Sequence, residues 1–267
     1  MNQQNLYSEY KVSDSDNLEQ NRTDFLSNEF PVAISFNGIS HVVMMASPMD
    51  LEDFVIGFSF TEGIISSISD VFDIEISNND HGIEVAVEIA QEPFQKLKHL
   101  KRNLSGKTGC GICGIESLEY FSNRLKLNYP EKIDHQITSE QITASLDAFK
   151  SNQKGQVKTG SIHAAALFHA DGNLLSIKED VGRHNALDKL IGRKLIDNLD
   201  GSFIVCSSRA SYEMVQKVLV TDIPILIAIS APTSMAVNLA SQHNLSVIGF
   251  ARDKRFVVYS HKNRIIE

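Results

Sequence analysis

Residues 203–250 decide the class of fold, and they read FIVCSSRASYEMVQKVLVTDIPILIAISAPTSMAVNLASQHNLSVIGF. Three short apolar runs, at residues 203–206, 225–229 and 245–250, alternate with two stretches of helical periodicity, at residues 212–220 and 232–240. Strands that are apolar throughout are typical of a sheet with helices on both of its faces. The pattern therefore predicts an α/β fold.

The flanking sequence extends this sheet in both directions. Residues 162–168 and 174–177 predict two strands joined by an Asp171-Gly172 turn, and residues 184–196 predict a helix. Residues 256–259 predict a last strand. We therefore expect a mixed sheet covered by helices on both faces.

Residues 25–105 predict a smaller N-terminal α+β lobe that is rich in hairpins. Asn37-Gly38 is the favoured pair for a type I′ turn between two strands. Ser47 is predicted to cap a helix whose first residue is Pro48 and which Gly63 ends. Four strands in two hairpins are predicted, over residues 30–36, 39–46, 72–76 and 83–89.

The chain is predicted to have four segments. Between the lobe and the sheet, residues 91–114 resemble a crossover. Helices are predicted over residues 115–127 and 138–149, and Thr138 or Ser139 is predicted to cap the second of them. The segments are a disordered or loosely attached tail (1–24), the hairpin-rich lobe (25–105), a mobile Cys-x-x-Cys loop with a connecting helix (106–137) and the α/β core (138–267).

Composition excludes several classes of protein. The chain has 267 residues and a formal net charge of −8, whereas general nucleic-acid binding requires a dominant basic face. No apolar run approaches the roughly 20 residues of a membrane span, and the N-terminus does not resemble a secretory signal. Three cysteines, an odd number, favour a reducing cytoplasm over a disulfide framework.

Two of the three cysteines, Cys110 and Cys113, lie in the stretch KTGCGICG at residues 107–114. Glycines crowd this stretch, so a mobile loop that presents thiols is expected rather than a helix or strand. Three interpretations remain open for it. A structural zinc site needs more ligands than one Cys-x-x-Cys supplies, and a thioredoxin-like redox site needs a rigid strand end. A thiol that carries a group on a flexible arm needs access for a partner's thiolate.

Polar loops follow several predicted strands and precede helices. The stretch KEDVGRHN at residues 178–185 contains Arg183 and His184, and SSRAS at residues 207–211 contains Arg209. The stretches at residues 230–234 and 250–255 repeat this geometry, and His163 begins a strand. Helix N-termini and arginines suit phosphate groups, so a cleft for a phosphorylated ligand is predicted at this side of the sheet. The alternatives are solvated loops and a structural histidine.

Several of these stretches together resemble the FdhD family, the formate dehydrogenase accessory sulfurtransferases. The matching stretches are FTEGII (60–65), TGCGICG (108–114), EDVGRHNALDK (179–189), EMVQK (213–217) and SAPT (230–233). The resemblance runs in order from about residue 25 to residue 259. Two departures are visible, Ser161 and Ser208, which stand where the family has glycine.

The resemblance implies a cytidine-deaminase-like α/β core and a cytoplasmic sulfur carrier. Such a protein accepts sulfane sulfur from a cysteine desulfurase as a persulfide on Cys110, with Cys113 beside it. It transfers the sulfur to the molybdenum bis(molybdopterin guanine dinucleotide) cofactor, which formate dehydrogenase requires. A homodimer is also expected, and GDP is expected to bind as a partial mimic of the cofactor. The predicted cofactor-binding residues are Phe250, Ala251, Arg252, Asp253, Lys254, Arg255, Arg183, His184, Arg209 and His163.

Two other functions compete with sulfur transfer. A zinc deaminase needs a His-x-Glu or Cys-x-Glu pair and a Pro-Cys-x-x-Cys, but Ala164-Ala165 follows His163, and Gly109 replaces the proline. A non-catalytic chaperone that binds and delivers the molybdenum cofactor stays open, because the sequence does not separate it from a sulfur carrier.

Overall fold

The computed structural model describes residues 5–103, 129–132, 135–252 and 254–267. The predicted thiol loop with Cys110 and Cys113, the helix predicted over residues 115–127, and Asp253 therefore lie outside the described residues. The described strands are β1 (Tyr7–Asp14), β2 (Asn17–Ser27), β3 (Phe30–Phe36), β4 (Ile39–Ala46), β5 (Val71–Asn79), β6 (Gly82–Ile89), β7 (Ile137–Thr138), β8 (His163–Phe168), β9 (Leu174–Asp180), β10 (Phe203–Cys206), β11 (Ile225–Ala228), β12 (Ser246–Arg252), β13 (Arg255–Val258) and β14 (Ile265–Ile266).

The described helices lie between these strands and none of them is long and apolar enough to span a membrane. They are α1 (Leu51–Thr61), α2 (Gln91–Asn103), α3 (Ser139–Asn152), α4 (Lys154–Thr159), α5 (Arg183–Asp197), α6 (Tyr212–Leu219) and α7 (Ser234–Gln242).

The largest sheet has six strands in the order β13-β12-β11-β10-β8-β9. Strands β10, β11 and β12 are parallel, whereas β8 is antiparallel to β10, β9 to β8, and β13 to β12. The prediction of a mixed sheet is confirmed. The cytidine-deaminase-like description of this core stays a prediction.

Both faces of this sheet are buried. Leu167 and Ile204 point to one face, where they pack with residues of α5, α6 and α7 such as Leu187 and Val215. Phe168 and Phe203 point to the other face, where they stack with ring centroids 5.2 Å apart and pack with side chains of α3. The prediction that helices cover both faces is therefore confirmed.

The N-terminal region contains a second sheet, with the order β4-β3-β6-β5. Alternate residues of β3 and β6 are buried against α1 in one apolar cluster. Asn37 and Gly38 have φ of 45° and 76°, the left-handed conformation that the predicted type I′ turn requires. Strands β3 and β4 begin and end at the predicted residues.

Helix α1 crosses α5 with the two backbones in close contact, because each helix has a glycine at the crossing. A Cβ atom on Gly57 would overlap the carbonyl oxygen of Asp188, and one on Gly192 would overlap the carbonyl oxygen of Asp53. The crossing joins the N-terminal sheet and its helix to the six-stranded sheet.

The start of α1 differs from its prediction, since Asp50 rather than Ser47 occupies the N-cap position, with a left-handed φ of 54°. Ser47 instead bonds to the loop before α5. Its N–H donates to Asp180 Oδ2 at 2.9 Å, and its Oγ accepts from the N–H of Val181 at 3.1 Å. Long-range hydrogen bonds therefore replace the local cap.

The N-terminal segment was predicted to be a disordered or loosely attached tail over residues 1–24. It differs from the disordered alternative, because β1 and β2 form an antiparallel hairpin. Phe25 lies under Lys158, with the ammonium 3.5 Å from the ring centroid, and Ser27 Oγ lies 2.8 Å from Ser161 Oγ. Helix α2 likewise occupies residues for which only a crossover was predicted.

Candidate anion-binding site at the sheet edge

The polar residues that follow strands β9, β10 and β11 lie together where these strands end. This end of the six-stranded sheet is called the sheet edge below. Because β8 runs against β9 and β10, its first residue, His163, lies beside Asp180 at the end of β9. Across the sheet, the N–H of Ser207 donates to the Ala164 carbonyl, and the N–H of Ser230 donates to the Ser208 carbonyl. The loops after β9, β10 and β11 thus meet at one edge, as predicted.

His163 is half-buried and bonded to Ser207. Its Nδ1 lies 3.0 Å from Ser207 Oγ, which also accepts the N–H of Ala164 at 3.0 Å. Burial lowers the pKa of His163, and the positive charges of Arg183 and His184 lower it further, while Asp180 opposes them. The imidazole is therefore neutral at neutral pH.

His184, in the first turn of α5, contacts Glu213 in the first turn of α6. The Nε2 and Oε2 atoms are 2.7 Å apart, and the side chains are 25% and 19% exposed. The bond to His184 lowers the pKa of Glu213, against the effect of burial, and the charges of His184, Arg183 and Lys217 lower it further. An ionised carboxylate therefore orients His184 at the sheet edge.

Two polar atoms near this pair are buried without a hydrogen-bond partner among the described residues, Arg183 Nε and Ser211 Oγ. Arg209 follows β10 and is exposed, as is Arg252 at the end of β12. Free donors and cations at one edge suit an oxyanion such as phosphate. This arrangement fits the anionic end of a nucleotide. Thr233, by contrast, caps α7, because its Oγ1 accepts the N–H of Ala236 at 3.3 Å.

The long polar motif at residues 179–189 is largely structural. Lys189 and Asp180 are completely buried, with Nζ and Oδ2 2.7 Å apart. Asp180 Oδ1 accepts from the N–H of Gly182 and from Asn185 Nδ2, which also donates to the Met45 carbonyl. These contacts fasten the loop to the end of β4, so that Arg183 and His184 are left at the sheet edge.

Glu179 of the same motif binds the start of α4. Its two carboxylate oxygens accept the N–H groups of Gly155 and Gln156 at 2.9 and 3.0 Å. Carboxylates at a helix N-terminus satisfy donors that have no partner within the helix. Glu179 is thus a structural residue of the motif.

A buried ionic network links the motif at residues 179–189 with two others, at residues 60–65 and 213–217. Lys217 Nζ lies 2.9 Å from Asp188 Oδ1, and it donates to Thr61 Oγ1 at 2.9 Å and to Glu62 Oε1 at 3.2 Å. Thr61 in turn donates to Asp188 at 2.8 Å. Burial raises the pKa of Asp188, and Lys217 opposes that shift. The network stabilises the contact between α1, α5 and α6.

The stretch at residues 250–255 forms the turn between β12 and β13. Phe250 and Lys254 have left-handed φ values of 52° and 63°, and Phe250 is 41% exposed. Ala251 is buried, whereas Arg252 and Arg255 are paired across the turn and exposed. The structure presents both arginines to solvent at the end of β12, and their cofactor-binding role stays a prediction.

Cys206 is buried at the end of β10, with 1% of its surface exposed. Burial raises the pKa of its thiol to about 11, and bonds to Ser208 only partly oppose that shift. Within the described part of the chain, no cluster of three or more His, Cys, Asp or Glu side chains is arranged to hold a metal ion.

Sequence reasoning did not assign Ser207 or Glu213 to the site. Both lie in stretches that the sequence did single out, Ser207 as the first residue after an apolar strand and Glu213 in the first turn of the next helix. Their positions beside His163 and His184 follow from the strand order, which a single sequence does not provide.

The fold and this edge define an α/β protein with a polar, arginine-bearing site at its strand ends. The chain matches the FdhD/NarQ family over residues 27–266 and belongs to that family. The resemblance to FdhD proteins is confirmed.

Two curated relatives have similar lengths and are named sulfur carrier protein FdhD. The relative from Cupriavidus necator is 46% identical over 244 residues, which cover 91% of this chain and 84% of the relative. The relative from Acinetobacter baylyi is 47% identical over 239 residues, covering 89% and 86%. A crystal structure described as a formate dehydrogenase accessory protein from Desulfotalea psychrophila has the same fold. Its TM-score is 0.75 at 22% identity, over 97% of this chain and 98% of that one.

Proposed function

We propose that this protein is a sulfur carrier for formate dehydrogenase. It accepts sulfane sulfur from a cysteine desulfurase as a persulfide on Cys110 and transfers it to the molybdenum bis(molybdopterin guanine dinucleotide) cofactor. The observation that carries the proposal is the 46% identity, over 91% of this chain, to a protein named sulfur carrier protein FdhD.

The distribution of thiols supports this assignment. Sulfur transfer requires a thiolate that a second protein can reach. Cys206 is fully buried, and its pKa of about 11 keeps it protonated at neutral pH. The chain has three cysteines, so the carrier role is assigned to the Cys110–Cys113 pair, which lies outside the described residues.

Loading is a thiol exchange without net oxidation. The Cys110 thiolate attacks the outer sulfur of the persulfide on the desulfurase, and a new S–S bond forms. The old S–S bond breaks, and the desulfurase cysteine leaves as a thiolate. In delivery the S–S bond of the Cys110 persulfide breaks, and its electron pair leaves with the Cys110 thiolate. The cofactor is the acceptor substrate, and it supplies the electron pair for its new bond to the outer sulfur.

The acceptor is anionic, because each guanine dinucleotide contains a pyrophosphate. At the sheet edge, the partnerless Arg183 Nε and Ser211 Oγ fit such a group, as do the exposed Arg209 and Arg252. Arginine donates two parallel hydrogen bonds to phosphate oxygens, which is why it suits this role despite a net charge of −8.

Mass spectrometry after incubation with a cysteine desulfurase and cysteine tests the carrier role. We expect an added sulfur atom on the Cys110 peptide, its absence in Cys110→Ala, and normal loading in the matched variant Cys206→Ala. A Cys110→Ala protein that still loads Cys113 and activates formate dehydrogenase normally contradicts the role of Cys110. Normal activation with no sulfur on any cysteine favours the cofactor chaperone instead.

Calorimetric titration with GDP tests the acceptor site. We expect wild-type protein to bind GDP and the variants Arg183→Ala, Arg209→Ala and Arg252→Ala each to bind it about tenfold more weakly, the effect of one lost hydrogen bond to a charged group. Arg22→Ala is the control, since Arg22 pairs with Asp14 in the N-terminal hairpin. Unchanged affinity in all three variants would remove this edge as the nucleotide site.

A further inference from the structure

Ser207 and His163 form a hydrogen-bonded pair that the proposed sulfur chemistry does not use. Ser207 Oγ accepts the N–H of Ala164, and it lies 3.0 Å from His163 Nδ1. A serine hydroxyl has a single proton to donate. Ser207 Oγ already accepts from Ala164 and has its own proton left to donate, and His163 Nδ1 lies within hydrogen-bond distance of it. This arrangement favours a ring whose Nδ1 is unprotonated.

The surroundings of His163 oppose a second proton on the ring. The ring is half-buried, and the positive charges of Arg183 and His184, both at the start of α5, also disfavour a charged ring. Asp180, on the neighbouring strand, favours the charged ring but bonds instead to Lys189, Gly182 and Asn185. A neutral ring whose Nδ1 accepts a hydrogen bond carries its proton on Nε2.

We propose that Ser207 is a positioning residue that fixes His163 as the neutral tautomer with its proton on Nε2. The edge then offers an uncharged N–H donor beside the cationic Arg183 for one oxygen of a phosphate or pyrophosphate. No described residue accepts a hydrogen bond from this N–H in the structure. The ligand half of the proposal rests on the proposed function, whereas the tautomer is a property of the free protein.

Nitrogen NMR of the free protein tests the tautomer directly. We expect the His163 ring to show a protonated Nε2 and an unprotonated Nδ1 from pH 7 to pH 8. In Ser207→Ala both tautomers should be populated, while Ser207→Thr should retain the wild-type spectrum because its hydroxyl can bond to the same Nδ1. Ser176→Ala on β9 is the control. A wild-type ring protonated on Nδ1, or charged at pH 7, overturns the proposal regardless of any sulfur-transfer result.

Binding of inorganic pyrophosphate tests the role of the donor. We expect His163→Leu to bind about tenfold more weakly, and His163→Gln to remain within about threefold of wild type, because an amide can donate from the position of Nε2. The ratio of the wild-type and His163→Leu affinities should stay constant between pH 7 and pH 8. A ratio that grows as the pH falls would identify a cationic His163, and equal affinities of all three proteins would remove it from the site.

Discussion

Lys217→Met removes the cation from the buried network beneath the candidate site. Asp188, whose side chain is 1% exposed, loses its contact at 2.9 Å and retains, from the described part of the chain, the hydroxyl of Thr61 at 2.8 Å. Glu62 and Thr61 each lose a donor as well. Breaking a buried ion pair by removing one partner costs about 3–5 kcal/mol, because the remaining charge is left without a counter-ion. We expect the free energy of unfolding to fall by about 4 kcal/mol at pH 7.5.

The deficit of Lys217→Met should depend on pH in a defined direction. Without Lys217, burial holds the folded-state pKa of Asp188 above its ordinary value of 3.8. A carboxyl whose pKa is raised on folding stabilises the folded state at low pH, and this stabilisation is lost as the pH rises through the folded-state pKa. The deficit should therefore be smaller at pH 5 than at pH 7.5.

Urea denaturation at these two pH values measures both effects. Lys194→Met is the matched control, since Lys194 pairs with Asp222 at 3.0 Å where the side chains are 15% and 43% exposed, and its loss should cost under about 1 kcal/mol. The double variant Lys217→Met with Asp188→Leu should recover most of the loss. A Lys217→Met deficit no larger than that of the control, at both pH values, refutes the reasoning.

Two further predictions concern stability. Gly192→Ala should lower the free energy of unfolding by about 2 kcal/mol or more, because the new Cβ overlaps the backbone of α1. Gly155→Ala is the control, since its Cβ would meet the ends of side chains instead. Equal losses of stability in both variants would contradict the close contact of the two helix backbones. Burial lowers the pKa of Lys132 from 10.5 to about 8, so the unfolded chain binds more protons above pH 8 and stability should rise by about 2 kcal/mol between pH 7.5 and pH 9.5. Urea denaturation of Lys132→Met should lack this rise, and an identical pH profile in the variant would show that Lys132 is not its source.

Local sequence was sufficient to predict the central elements. Phe203–Cys206 is wholly apolar, and the structure has a strand with those bounds. Thr138 was one of two predicted caps for α3, and the structure has it there, bonded to Gln141 in a capping box. In such segments, hydrophobic periodicity and side-chain caps act within a few residues of the chain.

Other features depended on residues distant in the chain. The β1–β2 hairpin consists largely of polar, exposed residues, so it lacks the alternation by which a strand is predicted. Ser47 has the character of a helix cap, but its hydrogen bonds go to Asp180 and Val181, more than 130 residues away. The His163–Ser207 pair likewise depends on the antiparallel register of β8 and β10.

The close crossing of α1 and α5 limits how this chain can be divided. Gly57 and Gly192 allow the two backbones to touch, and Lys217, from a third helix, bonds to both sides of that contact. In an excised N-terminal fragment, the side of α1 that contacts α5 would be exposed to water. In the remaining fragment, the side of α5 that contacts α1 would be exposed, together with Asp188. We therefore expect the N-terminal lobe (25–105) and the α/β core (138–267) to unfold in a single transition. Neither of these two segments should fold independently when it is fused to another protein, whereas the two co-expressed as separate fragments should reassociate.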